Sequence, residues 1–238
     1  METTVGESGS EQALVLQRLN RTTLQDQVYR EIKDAIMSGR FAPGHILVIR
    51  QIAEEMGTSI MPVRDALQRL ASERALHVLP NRSVQVSKLT LAEFETITAI
   101  RLRLESLAAE RACPLLTETD IISLTELDLE MVAGIAARNP QRVLRANKDF
   151  HFTIYQAADS DLLLSYIEAL WLRIGPLLIT PWRVAAADVM FDKAHDTHQL
   201  ILSALKSRDS AAAGKTLSQD ISYAAEWYRQ HMASFFDP

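Results

Sequence analysis

Apolar residues in the first third of the chain recur at helical spacing. Leu24, Val28, Ile32, Ala35 and Ile36 mark one buried helix face, which Ser38-Gly39 ends. A turn, Phe41-Ala42-Pro43-Gly44, leads into the short apolar run Ile46 to Ile49. Ile52, Ala53 and Met56 then define a second helix, and Gly57 follows where a left-handed residue stops it. A third helix opens at Ser59 as N-cap, tolerates Pro62 in its first turn, and buries Val63, Ala66, Leu67 and Leu70. Beyond it, Leu76 to Leu79 and Val84 to Val86 are β-favouring runs separated by Pro80-Asn81-Arg82-Ser83, a hairpin with a basic tip. This order of elements predicts a winged helix-turn-helix, a device that lays one helix in the major groove of DNA.

The remaining two thirds carry the helical period and no strand pattern. Thr90 and Glu93 make a capping box for a helix running to about Cys113. Further helices are predicted from about Glu118 to Arg138, from Asn139-Pro140 to Ala158, and from Asp161 to about Leu178 with a bend at Gly175-Pro176. A fifth runs from about Ala186 to Lys206, and a sixth from Asp209 to near Ala233. The fold class is therefore mainly α: a winged helix-turn-helix over residues 18–88 and an all-α antiparallel helical bundle over residues 89–238. Residues 1–17, rich in Glu, Ser, Gly and Thr, are expected to be a mobile tail.

Charge sharpens this division. The chain of 238 residues has a formal net charge of −5, which by itself argues against nucleic acid. Residues 17–88, however, hold 11 Lys or Arg against 7 Asp or Glu, whereas residues 89–238 hold 14 against 20. The basic part is the part with the helix-turn-helix, so electrostatic attraction to DNA belongs there. An apolar content of 47% is enough for a packed core in each of two domains. The longest apolar stretches read as too short, or too often broken by charge, to span a bilayer, and no basic segment followed by an apolar run opens the chain. Cys113, the single cysteine, excludes an intramolecular disulfide and fits a reducing cytoplasm.

On the third helix, Arg64, Gln68 and Arg69 lie opposite the buried stripe, donors suited to phosphate oxygens and to the acceptor edge of guanine. For that helix alone an ordinary solvated face is the better reading; its flanking elements shift the balance to DNA. In the bundle, polar residues interrupt the apolar stripes. Asn147 and His151 sit one turn apart among Val143, Phe150 and Ile154; His198 lies among Ala194, Ile201 and Leu205; Asp220 lies among Leu217, Ala224 and Trp227. A buried carboxylate without a partner costs several kcal/mol, so Asp220 needs one. Two readings stand: a core cluster whose members bond one another, or ligands for a divalent cation such as Zn²⁺, Ni²⁺ or Mn²⁺. Arg101 likewise interrupts the stripe Phe94, Ile97, Leu104, Ala108. It pairs with Glu105 one turn on, or it clamps the carboxylate of a small organic acid, with Tyr155, Trp171 and Trp182 as wall residues.

The segment from about Leu24 to Leu89, with the phrases SGRFAPG, PVRDALQRL and PNRSVQV, resembles the DNA-binding domain of the GntR superfamily of bacterial regulators. The resemblance implies contacts to DNA from Arg50, Arg64 and the wing tip at Arg82, and with Ser59, Met61 and Gln68 these make up the expected DNA-facing set. Many members of the superfamily have arginine where this chain has Ile60, and glycine where it has Arg74 and Ser83. The C-terminal half resembles the ligand-binding domain of the FadR-like branch, the FCD domain, through IRLRLE, NKDFHFTIYQAADSDLL and HQLILSALKSRD. That implies a ligand-binding domain with a metal site at Asn147, His151 and His198, with Asp220 in place of the last histidine. Together these readings describe a ligand-responsive repressor that binds a two-fold symmetric double-stranded operator as a homodimer. The alternative is a metal-dependent hydrolase or lyase built on His151, His198 and Asp220, for which no further general base or nucleophile is evident.

Overall fold

The computed structural model describes residues 23–80, 83–184 and 187–231. The expected mobile tail at 1–17, the wing-tip residue Arg82 and the last residues of the sixth bundle helix lie outside the described residues.

Three helices and a small sheet form the N-terminal unit. Helix α1 (Leu24–Met37) starts at a full capping box: the Thr23 hydroxyl accepts from the Asp26 amide, and the Asp26 carboxylate accepts from the Thr23 amide. Each such cap contributes about 1 kcal/mol. Helix α2 (Ile49–Glu55) and helix α3 (Ile60–Ser72) are joined through Gly57, at φ +60° with open space around it, as the left-handed turn requires. Val63, Ala66, Leu67 and Leu70 of α3 pack into one core with Val28, Ile32 and Ile36 of α1.

The wing has one strand more than expected. Strand β1 (Ile46–Leu47) joins the hairpin of β2 (Leu76–Val78) and β3 (Val84–Val86) in an antiparallel sheet of order β1-β3-β2. In its register Leu47 faces Val84 and Leu76 faces Val86. The run Ile46 to Ile49 is too short to declare itself a strand, and only the edge offered by β3 makes it one. Arg74 has φ 61°, just past the end of α3. Its carbonyl accepts from the Ser87 hydroxyl at 3.0 Å, which ties the turn to the base of the wing.

The C-terminal unit is helical: α4 (Leu91–Ala112), α5 (Glu118–Ala136), α6 (Pro140–Gln156), α7 (Asp161–Ile174), α8 (Thr180–Arg183), α9 (Ala187–Lys206) and α10 (Ser210–His231). Side chains of Thr90, Thr117, Asn139, Ser160 and Asp209 cap α4, α5, α6, α7 and α10. Helix α10 lies along α4 and α9, α5 along α6 and α9, and α7 against α4.

The fourth predicted helix needs two corrections. It does not continue to Leu178. Pro176 has no amide hydrogen to give to the preceding turn, so the chain tightens into a 3-10 segment, Gly175–Ile179, and restarts as the short α8. The stretch Asp161–Arg183 is also long and apolar enough, by length and composition, to cross a membrane, contrary to the expectation from sequence. Here it is broken at Gly175, and Ile167, Trp171 and Leu172 are buried in the protein core.

This corner docks the two units. Lys33 of α1 pairs with Glu168 of α7 at 2.7 Å, Lys148 of α6 pairs with Asp34 of α1, and the last carbonyls of α1 lie directly over Gly175.

Candidate functional site

The exposed face of α3 carries Met61, Arg64 and Gln68, with Ser59 at its N-terminus and Arg50 at the start of α2. Ser59 occupies the N-cap position, yet its hydroxyl makes no capping bond, so the first amides of α3 and this hydroxyl remain open to an anion. Neither Arg64 nor Gln68 has a hydrogen bond or ion pair among the described residues. Arg69, on the same face, has intramolecular partners. Its guanidinium stacks 3.7 Å from the Tyr29 ring centre and pairs with Glu73 at 3.4 Å and Asp26 at 3.9 Å, so it braces α3 against α1.

In the bundle, α6, α9 and α10 bring His151, His198 and Asp220 together. One ligand atom from each lies within 4.8 Å of the others. His151, Asp220, Asn147 and Arg101 line one cavity of about 50 Å³, with Trp171 and Tyr223 on its walls and His198 behind its lining. That is room for a few waters, or for a cation with a small ligand. Tyr155 stands behind the cavity, and Trp182 packs on Phe191 without forming its wall.

Each imidazole is held from behind. His198 Nδ1 lies 3.2 Å from Asp128 Oδ1, and the ring stacks on Phe150 with centroids 3.9 Å apart. A carboxylate accepts from Nδ1–H, so the Nε2 of His198 is left with its lone pair. That atom is fully buried and has no hydrogen-bond partner. His151 Nδ1 meets the Tyr155 hydroxyl at 3.1 Å, and its Nε2 lies 3.5 Å from Asp220 Oδ2. Burial above all, with the positive charge of Arg101 nearby, pushes the His151 pKa well below its ordinary value, so the ring is neutral. Burial raises the Asp220 pKa, although Thr197 donates to its Oδ1 at 2.5 Å. The bare Nε2 of His198 and the neutral ring of His151, beside a carboxylate whose pKa burial raises, form a donor set that fits a divalent cation.

For Arg101 the ion-pair reading is present in the structure. Its Nε and Nη2 donate to the two oxygens of the fully buried Glu105, at 2.6 and 3.2 Å. The guanidinium nevertheless remains on the cavity wall. Sequence reasoning missed Asp128 as the support of His198. On α5, Asp128 falls on the buried face with Leu124 and Met131, so an acidic residue in an apolar stripe was the available signal.

A helix-turn-helix with an uncommitted basic face, joined to a helical bundle around a polar cavity, is the architecture of a DNA-binding regulator. The gntR family model of bacterial regulatory proteins matches residues 24–86, and the FCD domain model matches residues 96–223. The chain is 30% identical to the HTH-type transcriptional regulator McbR of Escherichia coli strain K12, over 85% of this chain and 91% of that one. It is 29% identical to the gluconate operon transcriptional repressor of Bacillus subtilis strain 168, over 85% of this chain and 84% of that one. The solved structure of E. coli McbR/YncC superposes with a TM-score of 0.80 at 30% identity, covering 88% of this chain and 99% of that one. The chain belongs to the GntR family, in its FCD-containing branch: it is a DNA-binding transcription regulator, and its family is one of regulators rather than enzymes.

Proposed function

We propose that this protein is a ligand-responsive repressor in the cytoplasm, whose helical domain, residues 89–238, senses a small organic acid through a bound divalent cation. The observation that carries the sensor reading is His198 Nε2, a buried nitrogen without a partner, aimed into a cluster with His151 and Asp220. A hydrogen-bonded core cluster leaves no such atom, because an unsatisfied buried acceptor costs about 1–3 kcal/mol. Asn147, His151, His198 and Asp220 would hold the cation. When bound it supplies positive charge at the cavity floor, and Arg101 offers N–H groups to a carboxylate beside it.

The N-terminal domain would read DNA with Arg50, Ser59, Met61, Arg64 and Gln68, and with Arg82 at the wing. A single winged helix makes too few contacts for a selective site, so a homodimer on a two-fold symmetric operator fits the family's design. Repression agrees with relatives that are named repressors. The α7 corner offers the route between the sites: Trp171 and Ile174 face the cavity, and Gly175 bears on the end of α1. An effector that prefers one docking of the corner would shift the population of operator-competent dimers.

Elemental analysis after dialysis tests the sensor. The wild type is expected to retain close to one divalent ion per chain, and His151→Ala and His198→Ala to retain almost none. Equal metal content in all three rejects the site.

A further inference from the structure

Glu105 is fully buried and accepts four hydrogen bonds. Its Oε1 accepts from Arg101 Nε at 2.6 Å and from Trp171 Nε1 at 3.2 Å; its Oε2 accepts from Arg101 Nη2 at 3.2 Å and from the Tyr155 hydroxyl at 2.5 Å. Four donors from three helices therefore converge on one carboxylate. The Tyr155 hydroxyl has one proton and two neighbours, Glu105 Oε2 and His151 Nδ1 at 3.1 Å. The short contact to a carboxylate takes that proton, so the phenol oxygen turns its lone pair to His151. His151 must then carry its own proton on Nδ1, which leaves Nε2 as a bare lone pair facing Asp220 and His198.

We infer that Glu105 is a positioning residue for the whole sensor site: through Tyr155 it fixes the His151 tautomer that can ligate a cation, and directly it fixes the edge of Arg101 that a carboxylate can meet. The inference rests on reading the cavity as a cation and carboxylate sensor. Because Glu105 takes the Nε–H and one Nη2–H of Arg101, the two Nη1 hydrogens and the second Nη2–H are what is left for a ligand. His198 has its own support, Asp128, held in turn by Gln199 Nε2 at 2.6 Å. Only the His151 support is shared with Arg101, so the two halves of the site are joined through Glu105 alone among these contacts. The opposite His151 tautomer would draw the phenol proton away from Glu105, and its Nε2–H would reach Asp220 only at 3.5 Å.

The test uses the full chain, first metal-free and then titrated with Zn²⁺ alone. Long-range ¹H–¹⁵N imidazole spectra of the metal-free wild type should show His151 protonated on Nδ1. In Tyr155→Phe the ring should become a tautomer mixture, and Zn²⁺ affinity by calorimetry should fall about 10- to 100-fold. The slowly exchanging Arg101 Nε–H signal should persist in that variant. Glu105→Gln should lose the tautomer preference and the protected Arg101 signal together, and Asp128→Asn should disturb His198 and spare His151. If Glu105→Gln does not fold, Tyr155→Phe and Asp128→Asn still separate the two supports. A wild-type His151 protonated on Nε2, or a Tyr155→Phe variant with unchanged tautomer and Zn²⁺ affinity, overturns the inference. A wild type with the Nδ1–H tautomer that binds no Zn²⁺ leaves the relay standing and refutes the metal reading instead.

Discussion

Replacing Gly175 with alanine sets two effects of opposite sign against each other. The residue has helical angles, φ −51° and ψ −43°, and in a helix interior alanine is favoured over glycine by up to about 1 kcal/mol. A Cβ at this position, however, would lie 2.6 Å from the carbonyl oxygen of Met37, 2.8 Å from that of Ile36 and 2.8 Å from the Cα of Met37. All three are backbone atoms, and contacts of that kind need several tenths of an ångström more. The end of α1 is held in place by Lys33–Glu168 and Lys148–Asp34, so it yields only by loosening the junction. Overpacking of this sort costs about 1–3 kcal/mol, which exceeds the propensity gain. The variant is therefore expected to lose about 1–2 kcal/mol, concentrated at the docking of the two units. Hydrogen exchange reads this locally: the amides of Ser38, Gly39 and Arg40, bonded to Asp34, Ile36 and Ala35, should exchange about tenfold faster. A raised unfolding midpoint with unchanged exchange at those three amides would refute the reasoning.

Arg64→Ala should weaken binding to a duplex selected from random DNA by about 1–3 kcal/mol, measured by gel-shift titration, with metal content unchanged; equal affinity removes Arg64 from the interface. Arg74→Gly should stabilise the N-terminal unit by up to about 1 kcal/mol, since φ 61° strains an arginine and not a glycine, and chemical unfolding checks the sign. The capping carboxylate of Glu93 is held below its ordinary pKa of 4.5 by the Thr90 amide and by Arg173, and that of Asp120 below 3.8 by the Thr117 hydroxyl and amide. Groups with lowered folded-state pKa values contribute stability above about pH 4.5 and lose it as pH falls through the folded values. Thermal unfolding should thus decline on acidification below pH 4.5, and Glu93→Gln should flatten part of that decline; an identical acid limb in the variant would show that the cap contributes nothing.

Much of the architecture was legible in the sequence because it is local. Capping residues such as Thr90 and Asn139, the glycine at 57 and the apolar stripes act within a turn or two of where they stand. The helix-turn-helix could be read for the same reason, and so could the inward aim of Asn147, His151, His198 and Asp220. Long-range contacts were not legible in this way. The edge of β3 turned Ile46-Leu47 into a strand, and the ring of Tyr29, 40 positions from Arg69, stacks under its guanidinium.

Sequence by itself determined the two-part plan, the helix-turn-helix and the set of polar residues that interrupt the bundle's core. Only the tertiary structure decided how those polar residues are used. Whether an imidazole presents a lone pair or a proton depends on what stands behind it, and for His151 and His198 that is Tyr155 with Glu105, and Asp128, residues brought there from other helices. Spacing along one helix places a side chain on a face, and the charge and hydrogen bonds of the neighbours packed against that face give it its chemistry.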